Sequence, residues 1–434
     1  MKINRIVLLV FILLGITSKA QEKKTMSLKD AVSLVINSSN EALLANTKMA
    51  TSKLELESMK NNQYPTVKAS GQYMRLTGAN VTSHLGGSGS GLDVSQLLLG
   101  QATVSMPIFS GFKLKNSILA SENLYKAQTF SFSHTKEQLA LEVIELFANL
   151  YKSQEMVKLF QENLKSAQQR TKDFSAMVDN GLLARNDLLK AQLQESNVQL
   201  SLDNAMKNVN IINYRIITLL QLPENTLIDI DIDAVKSDMA KNQMLSTNGQ
   251  RNDLEALTFQ QKASEAGIKI AKAGYYPSLA LTGGYIALDL KNAITVTNAM
   301  NFGIGFNYDL SSVFKNKKEV KLAKSKAEET TQAVAILSDK IKEETQEAQE
   351  NYNLSVKQNK VYALAVEQSD ENYRIVKDKY DNSLSTTNDL LEADVQQLQS
   401  KINLALSQAD IALKYYQLQF TQGKLINSFN LSTK

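Results

Sequence analysis

The sequence predicts a mainly α-helical chain with a membrane-type β part, built by duplicating one helix–strand–strand–long helix–helix unit. Three observations predict it. Only four prolines occur, at Pro65, Pro107, Pro223 and Pro277, leaving 115 proline-free residues between the second and third and no proline after the fourth; very long helices are therefore permitted. Just after Pro65 and Pro277 the pattern switches to a period of two, the mark of strands. Tyr64, Pro65, Gly71 and Tyr73 also recur 212 residues later as Tyr276, Pro277, Gly283 and Tyr285, which is the signature of an internal repeat.

The chain opens with Lys2 and Arg5, an apolar run from Ile6 to Ile16, and small residues ending at Ala20. This pattern predicts a secretory signal peptide over 1–20, cleaved near Ala20. The apolar run falls short of the ~20 residues a membrane-spanning helix needs, and no later stretch is long and apolar enough. Residence in a membrane would therefore rest on strands. The chain has no cysteine, so neither a disulfide nor a lipid-modified cysteine is available. Lys and Arg total 48 against 44 Asp and Glu, without a basic run, so nucleic acid is not an expected partner. Two histidines and no cysteine supply no clustered nucleophile, base or metal set. No enzyme activity, cofactor or metal site is expected; His84 reads as a loop residue and His134 as a polar helix position. The acidic pair Glu343 and Glu344 reads as solvated charge on a Lys-rich helix.

The first repeat occupies 21–222. After an opening helix, a strand over about 65–76 sets Val67, Ala69, Gly71 and Tyr73 against Thr66, Lys68, Ser70 and Gln72. A Gly- and Ser-rich loop from Thr77 to Ser95 follows. A second strand, about 97–109, sets Ala102, Val104, Met106 and Ile108 against Gln101, Thr103 and Ser105. From about Phe112 to Val178 a single helix ~100 Å long is expected at ~1.5 Å per residue. Along it Leu139, Val143, Leu146, Leu150, Val157, Phe160, Leu164, Ala167 and Phe174 keep a heptad rhythm, the seam of a coiled coil. Leu141, Ile144, Ala148 and Tyr151 add a second stripe, which suits a helix with neighbours on two sides. A tight tip at about 180–187 and a returning helix complete the repeat.

The second repeat occupies 223–434. Its strands, about 277–290 and 300–310, present Leu279, Leu281 and Tyr285, then Phe302, Ile304, Phe306 and Tyr308, against small and polar residues. Its tip, about 381–389, repeats the first: Asn180, Leu182, Asn186, Asp187, Leu188, Leu189 and Ala191 match Asn382, Leu384, Asn388, Asp389, Leu390, Leu391 and Ala393 at an offset of 202. The smaller offset assigns the first half's extra residues to its Gly-rich loop. A second seam runs through Leu391, Val395, Leu398, Ile402, Ala405, Ala409, Ala412 and Tyr416. Tyr64, Phe109, Tyr275, Tyr276 and Tyr308 stand at strand ends, where an interfacial girdle would lie. Alternation alone also suits a soluble sandwich. Four strands cannot close a membrane barrel, whose smallest examples have ~8, so a membrane reading requires strands from several chains.

End to end, the mature chain resembles the TolC-like outer-membrane efflux proteins. The marks are Ser27, Leu28, Ala31, Val32 and Asn37 in the first helix; Tyr64 with Pro65; Pro107, Ile108, Phe109 and Gly111; Arg251, Asp253 and Leu254; and the two tip motifs. Asn40 and Asn252 stand where the family often has proline, and Ser311 with Ser312 replaces the usual glycines. The resemblance implies a homotrimer that forms a twelve-stranded outer-membrane β-barrel and a long periplasmic α-helical barrel. It also implies a passive exit duct of a tripartite efflux or type I secretion system. The implied partners are a periplasmic adaptor (membrane fusion) protein, an inner-membrane transporter of RND, ABC or MFS type, and outer-membrane lipid. The rival class is a soluble periplasmic coiled-coil adaptor or interaction protein.

The resemblance carries an aperture onto Asp187, Tyr380, Asp389 and Glu392. Asp389 and Glu392 are one helical turn apart, and repeating them around a constriction would favour cations. Asn186, Asp187, Asn388 and Asp389 also fit helix caps, and Glu392 also fits a solvated face. Ser385 stands where some relatives carry an arginine that helps lock the aperture, with Arg185 as a possible substitute. Gly181, Leu182, Leu183, Ala184 and Leu384 are the candidates for docking an adaptor tip, although Gly181 also fits a plain helix-ending turn.

Overall fold

The computed structural model describes residues 22–81, 92–231, 235, 239, 250–291, 294–429 and 431. The signal segment 1–20 and His84 lie outside them. In chain order the elements are β1 (Glu22–Thr25), α1 (Leu28–Ser38), α2 (Asn40–Asn61), β2 (Thr66–Val81), β3 (Leu92–Ser110), α3 (Lys113–Asp179), α4 (Arg185–Leu219), β4 (Thr226–Asp229), α5 (Asn252–Lys272), β5 (Ser278–Leu290), β6 (Ile294–Asn307), α6 (Ser312–Asp381), α7 (Thr387–Thr421) and α8 (Leu425–Ser428). The duplicated plan is explicit: α2, β2, β3, α3 and α4 are repeated as α5, β5, β6, α6 and α7. No helix among the described residues is long and apolar enough to cross a membrane.

The residues divide into two compact units. One comprises Thr47–Phe130 and Leu254–Leu337 and holds an antiparallel sheet in the order β2-β3-β5-β6. Its strands run 16, 19, 13 and 14 residues, several longer than the alternation suggests. The reason is cross-strand pairing: after a shift at Arg75, Ala79, Asn80 and Val81 pair with Val94, Asp93 and Leu92. Much of the segment Thr77–Ser95, read from composition as loop, is therefore strand, and 82–91 lies outside the described residues. At Pro107, which offers no N–H to the ladder, the β3–β5 register shifts before Phe109. Most side chains of β2 and β6 are exposed on both faces, and among the described residues these outer strands each keep one unpaired edge. Phe302 is 97% exposed, and Ile304, Phe306, Val67 and Tyr73 are also exposed.

The other unit comprises the described parts of Met1–Asn46, Ser131–Asp253 and Ser338–Lys434. Its largest core joins Val32 and Val35 of α1, Val143, Phe147 and Leu150 of α3, Ile216 and Ile217 of α4, Tyr416 of α7 and Leu425 of α8. Here the heptad residues of α3 do their packing: Leu139, Val143, Leu150, Phe160, Leu164, Ala167 and Phe174 are all buried. Ser39 separates α1 from α2, and its Oγ accepts from the Ala42 N–H at 3.2 Å to start the second helix. A parallel pair, β1 with β4, was not anticipated by the sequence. Asn213 of α4 secures it, donating to the Thr226 carbonyl and accepting from the Ile228 N–H, both at 2.9 Å.

Candidate functional site

Both tips end their first helix with the same hydrogen-bonded turn. At the first, Leu182 N–H reaches the Met177 carbonyl at 2.8 Å and Gly181 N–H the Val178 carbonyl at 2.9 Å; at the second, Leu384 reaches Lys379 and Ser383 reaches Tyr380 at the same distances. This is the Schellman arrangement, which needs a left-handed residue at its centre. Gly181 supplies it with φ 74°, whereas the repeat puts Ser383 there at φ 60°. Leu182 and Leu384, the residues that follow, are 74% and 77% exposed. Leu183 instead tucks against a small core of Phe174, Ala191 and Leu390.

Beyond the turns the tips differ. Thr386 caps α7, and its hydroxyl accepts from the Asp389 N–H while the Asp389 carboxylate accepts from the Thr386 N–H at 2.9 Å, a reciprocal capping box. The Thr386 and Ser385 hydroxyls also donate to Asp389. These bonds, the backbone one foremost, hold the Asp389 carboxyl below its ordinary range. Ser385 thus satisfies the carboxylate four residues on. At the first tip the cap position is Ala184, which has no side-chain cap bond. Asp187 is not the cap residue of α4: its carboxylate lies 3.4 Å from Lys190 Nζ. Glu392 is exposed. Tyr380 packs its ring against Phe174, centroids 5.9 Å apart, and its buried hydroxyl has no hydrogen-bond partner among the described residues. The structure therefore brings Tyr380 and Leu183 into one cluster, and leaves Glu392, Leu182 and Leu384 free on the surface.

Sequence reasoning missed what ties the hairpins together. Arg170 of α3 donates Nη1 to Asp394 Oδ2 of α7 at 3.1 Å, with Nη2 3.1 Å from Oδ1. Both side chains are buried, at 8% and 4% exposure, and Tyr373 of α6 lies near enough to favour the charged guanidinium. The signal was present: stepping back from Ile402 through Leu398 by four reaches Asp394 and Leu390, both buried, while the apolar Val395 proposed for the seam is 45% exposed. The seam is out of phase only at its first two positions, Leu391 and Val395; Ile402, Ala409, Ala412 and Tyr416 are buried as the rhythm expects.

Two further readings change. Glu344 is not simply solvated, because it accepts from Arg251, which also grips Asp253 with two nitrogens at 2.6 and 3.1 Å. His134 is half-buried beside Phe420, centroids 6.0 Å apart, and its Nδ1 lies 4.0 Å from the buried Glu137 carboxylate. Burial pushes Glu137 up to about 7, against an opposing hydrogen bond from Asn252. Among the described residues no group of three or more acidic or histidine side chains is placed to hold a metal ion.

The tips, the inter-hairpin ties and the open sheet can be set beside known proteins. The family model described as Outer membrane efflux protein matches residues 30–220 and 246–424. The chain is 18% identical over 238 residues to the outer membrane efflux protein BepC of Brucella suis biovar 1 (strain 1330), a match covering 54% of this chain. It spans about half the length of that curated relative, 52%. Among solved structures it is similar to the CmeC outer membrane channel of Campylobacter jejuni, with a TM-score of 0.77 at 17% identity, covering 95% of this chain and 91% of that one. It is also similar to the outer membrane protein VceC of Vibrio cholerae, with a TM-score of 0.76 at 12% identity, covering 91% and 96%. At such identities the structural likeness shows a shared fold.

Proposed function

The chain belongs to the outer membrane efflux protein family, and from that premise we propose that it is a passive exit duct, three copies of which complete one barrel in the outer membrane. One observation carries this reading: a four-stranded sheet with two edges unpaired among the described residues, and Met300, Phe302, Ile304 and Phe306 bared in a row on β6. Unpaired ladder edges and large exposed apolar side chains are costly in water. Both costs vanish when neighbouring chains pair the edges and lipid covers the outer face.

On this reading 1–20 is a cleaved signal, 21–222 and 223–434 are the two repeats, and the tips at 180–187 and 381–389 reach into the periplasm. Asp187, Tyr380, Asp389 and Glu392 bound the aperture there. Gly181 shapes the first turn, while Leu182, Leu183 and Leu384 meet a periplasmic adaptor. The exposure of Leu182 and Leu384 supports docking, because both stay outside the small tip core that takes in Leu183. Transport is driven by an inner-membrane transporter of RND, ABC or MFS type, and the chain itself performs no chemistry.

Fractionation and conductance test the reading together. Recovery in the outer-membrane fraction, extraction only with detergent, and ion conductance in a planar bilayer are expected. Full recovery from the periplasm without detergent would contradict it and favour a soluble coiled-coil adaptor.

A further inference from the structure

Four helices adjoin the sheet: α2 and α5 lead into β2 and β5, and α3 and α6 leave β3 and β6. The six residues of each helix nearest the strands hold seven lysines, Lys60, Lys113, Lys115, Lys269, Lys272, Lys315 and Lys317, against one carboxylate, Glu57. All seven lysines are exposed. None is in an ion pair among the described residues, although Glu122 lies near enough to Lys60, and Asp309 to Lys315, to feel the charge.

Helix electrostatics explains only part of this set. Lys60, Lys269 and Lys272 sit at helix C-termini, where the dipole favours a cation. Lys113, Lys115, Lys315 and Lys317 sit in the opening turns of α3 and α6, where it favours an anion, and neither first turn contains an acidic residue. The unfavourable placement occurs in both repeats at one offset, Lys315 and Lys317 lying 202 residues after Lys113 and Lys115. Helix stability therefore does not account for these four lysines.

Each junction also bears an exposed aromatic ring: Tyr64, Phe112, Tyr276 and Phe314, the last 83% exposed. Phe112 holds φ 64°, an unfavourable backbone for a bulky residue. Rings at the ends of the strands, with the cations on the helix side of each ring and within seven residues of it, reproduce the order of a lipid leaflet from acyl boundary to phosphate.

Resting on the outer-membrane reading above, we infer that these lysines form a collar that holds anionic phospholipid headgroups of the periplasmic leaflet. The aromatic rings fix the depth and the lysines bind the phosphates. The second repeat carries more charge: Lys318, Lys321, Lys324 and Lys326 stand where the first has Asn116, Leu119, Glu122 and Leu124, so binding is stronger around α6 than around α3.

The test uses the purified full chain in mixed micelles with equal phosphatidylglycerol and phosphatidylcholine, counting retained lipid by native mass spectrometry. The wild type retains phosphatidylglycerol preferentially, high salt weakens the preference, and millimolar inorganic phosphate does not displace it. In K113Q/K115Q/K315Q/K317Q the preference falls at least about tenfold, since one lysine near an anionic leaflet is worth a factor of roughly five. Losing cations that oppose the dipole leaves the helices intact, so the variant folds and inserts into phosphatidylcholine bilayers as the wild type does. Equal retention of both lipids by the wild type, or an undiminished preference in the variant, overturns the collar. So does a change in ion selectivity with lipid retention unaltered, which would put the lysines on a water-filled lumen. A chain that retains neither lipid and stays soluble without detergent would overturn the outer-membrane reading as well.

Discussion

Arg170 and Asp394, 224 positions apart in the chain, form a two-pronged ion pair sealed between the first and second hairpins. Burying two charges is tolerable only because each is paired with the other, and Asn163 adds a hydrogen bond to Asp394 at 3.5 Å. The pair stabilises less by its own attraction than by the penalty attached to breaking it.

Removing one partner is therefore the informative change. Arg170→Ala or Asp394→Ala should destabilise the folded chain by about 3–5 kcal/mol, while Arg170→Met with Asp394→Leu should recover most of that loss. Chemical denaturation of the detergent-solubilised protein measures all three. Equal losses in the single and double variants would show that the ion pair is not the source.

Glu137 gives stability a pH dependence whose sign can be worked out. Its carboxyl rises from the ordinary 4.5 to about 7 in the fold, pushed by burial. The folded state then binds a proton more tightly than the unfolded one, and the associated stability is complete below pH 4.5 and lost as pH rises to about 7. Burial lowers the His134 pKa, an effect of opposite sign that takes stability away as pH falls below 6.5. Glu137→Gln keeps His134 and removes only the first effect. Relative to the wild type it should gain up to roughly 3 kcal/mol between pH 4.5 and 8, and a constant difference across that range would refute the assignment.

Ser383 occupies the left-handed position that Gly181 fills at the other tip. Ser383→Gly should stabilise the second turn by up to about 1 kcal/mol. Gly181→Ser should cost a comparable amount, because a side chain there meets open space and only the backbone objects. Thermal melting of both variants reads the effect, and opposite signs are expected.

The two acidic residues of the second tip should separate. Asp389 is bound into the capping box, so Asp389→Ala should lower stability by opening the box and also weaken cation preference. Glu392 is exposed, so Glu392→Ala should weaken cation preference with stability unchanged. Reversal potentials in planar bilayers supply the first readout and melting the second. Unaltered selectivity in Asp389→Ala/Glu392→Ala would remove the acidic constriction.

Much of the architecture was legible because it rests on local rules. Proline placement bounded α3 and α6, heptad spacing picked out Val143, Leu150 and Phe174, and the repeat offset aligned the two tips. What stayed hidden depended on partners distant in the chain. The extra length of β2 and β3 comes from pairing Ala79 with Val94, which overrides a Gly- and Ser-rich composition. The β1–β4 pair joins segments some 200 residues apart. An apolar rhythm passes over Asp394, and only Arg170 across the hairpins makes its burial possible. Asp187 and Asp389 occupy equivalent places in the repeat, yet one pairs with Lys190 and the other closes a capping box, because the residue three before it is Ala184 in one case and Thr386 in the other.

The central claim is that incomplete sheets from separate chains join edge to edge, and covalent trapping tests it directly. The chain has no cysteine, so every disulfide formed comes from introduced residues. Pairs combining Thr66→Cys, Lys68→Cys or Ser70→Cys on β2 with Gly303→Cys, Gly305→Cys or Asn307→Cys on β6 place thiols along the two unpaired edges, and disulfide formation requires Cα atoms about 4.4–6.8 Å apart. In outer membranes at least one pair should oxidise to a ladder ending at three linked chains. If every pair remains monomeric under oxidation while the protein is folded, the edges do not meet and the shared barrel is wrong.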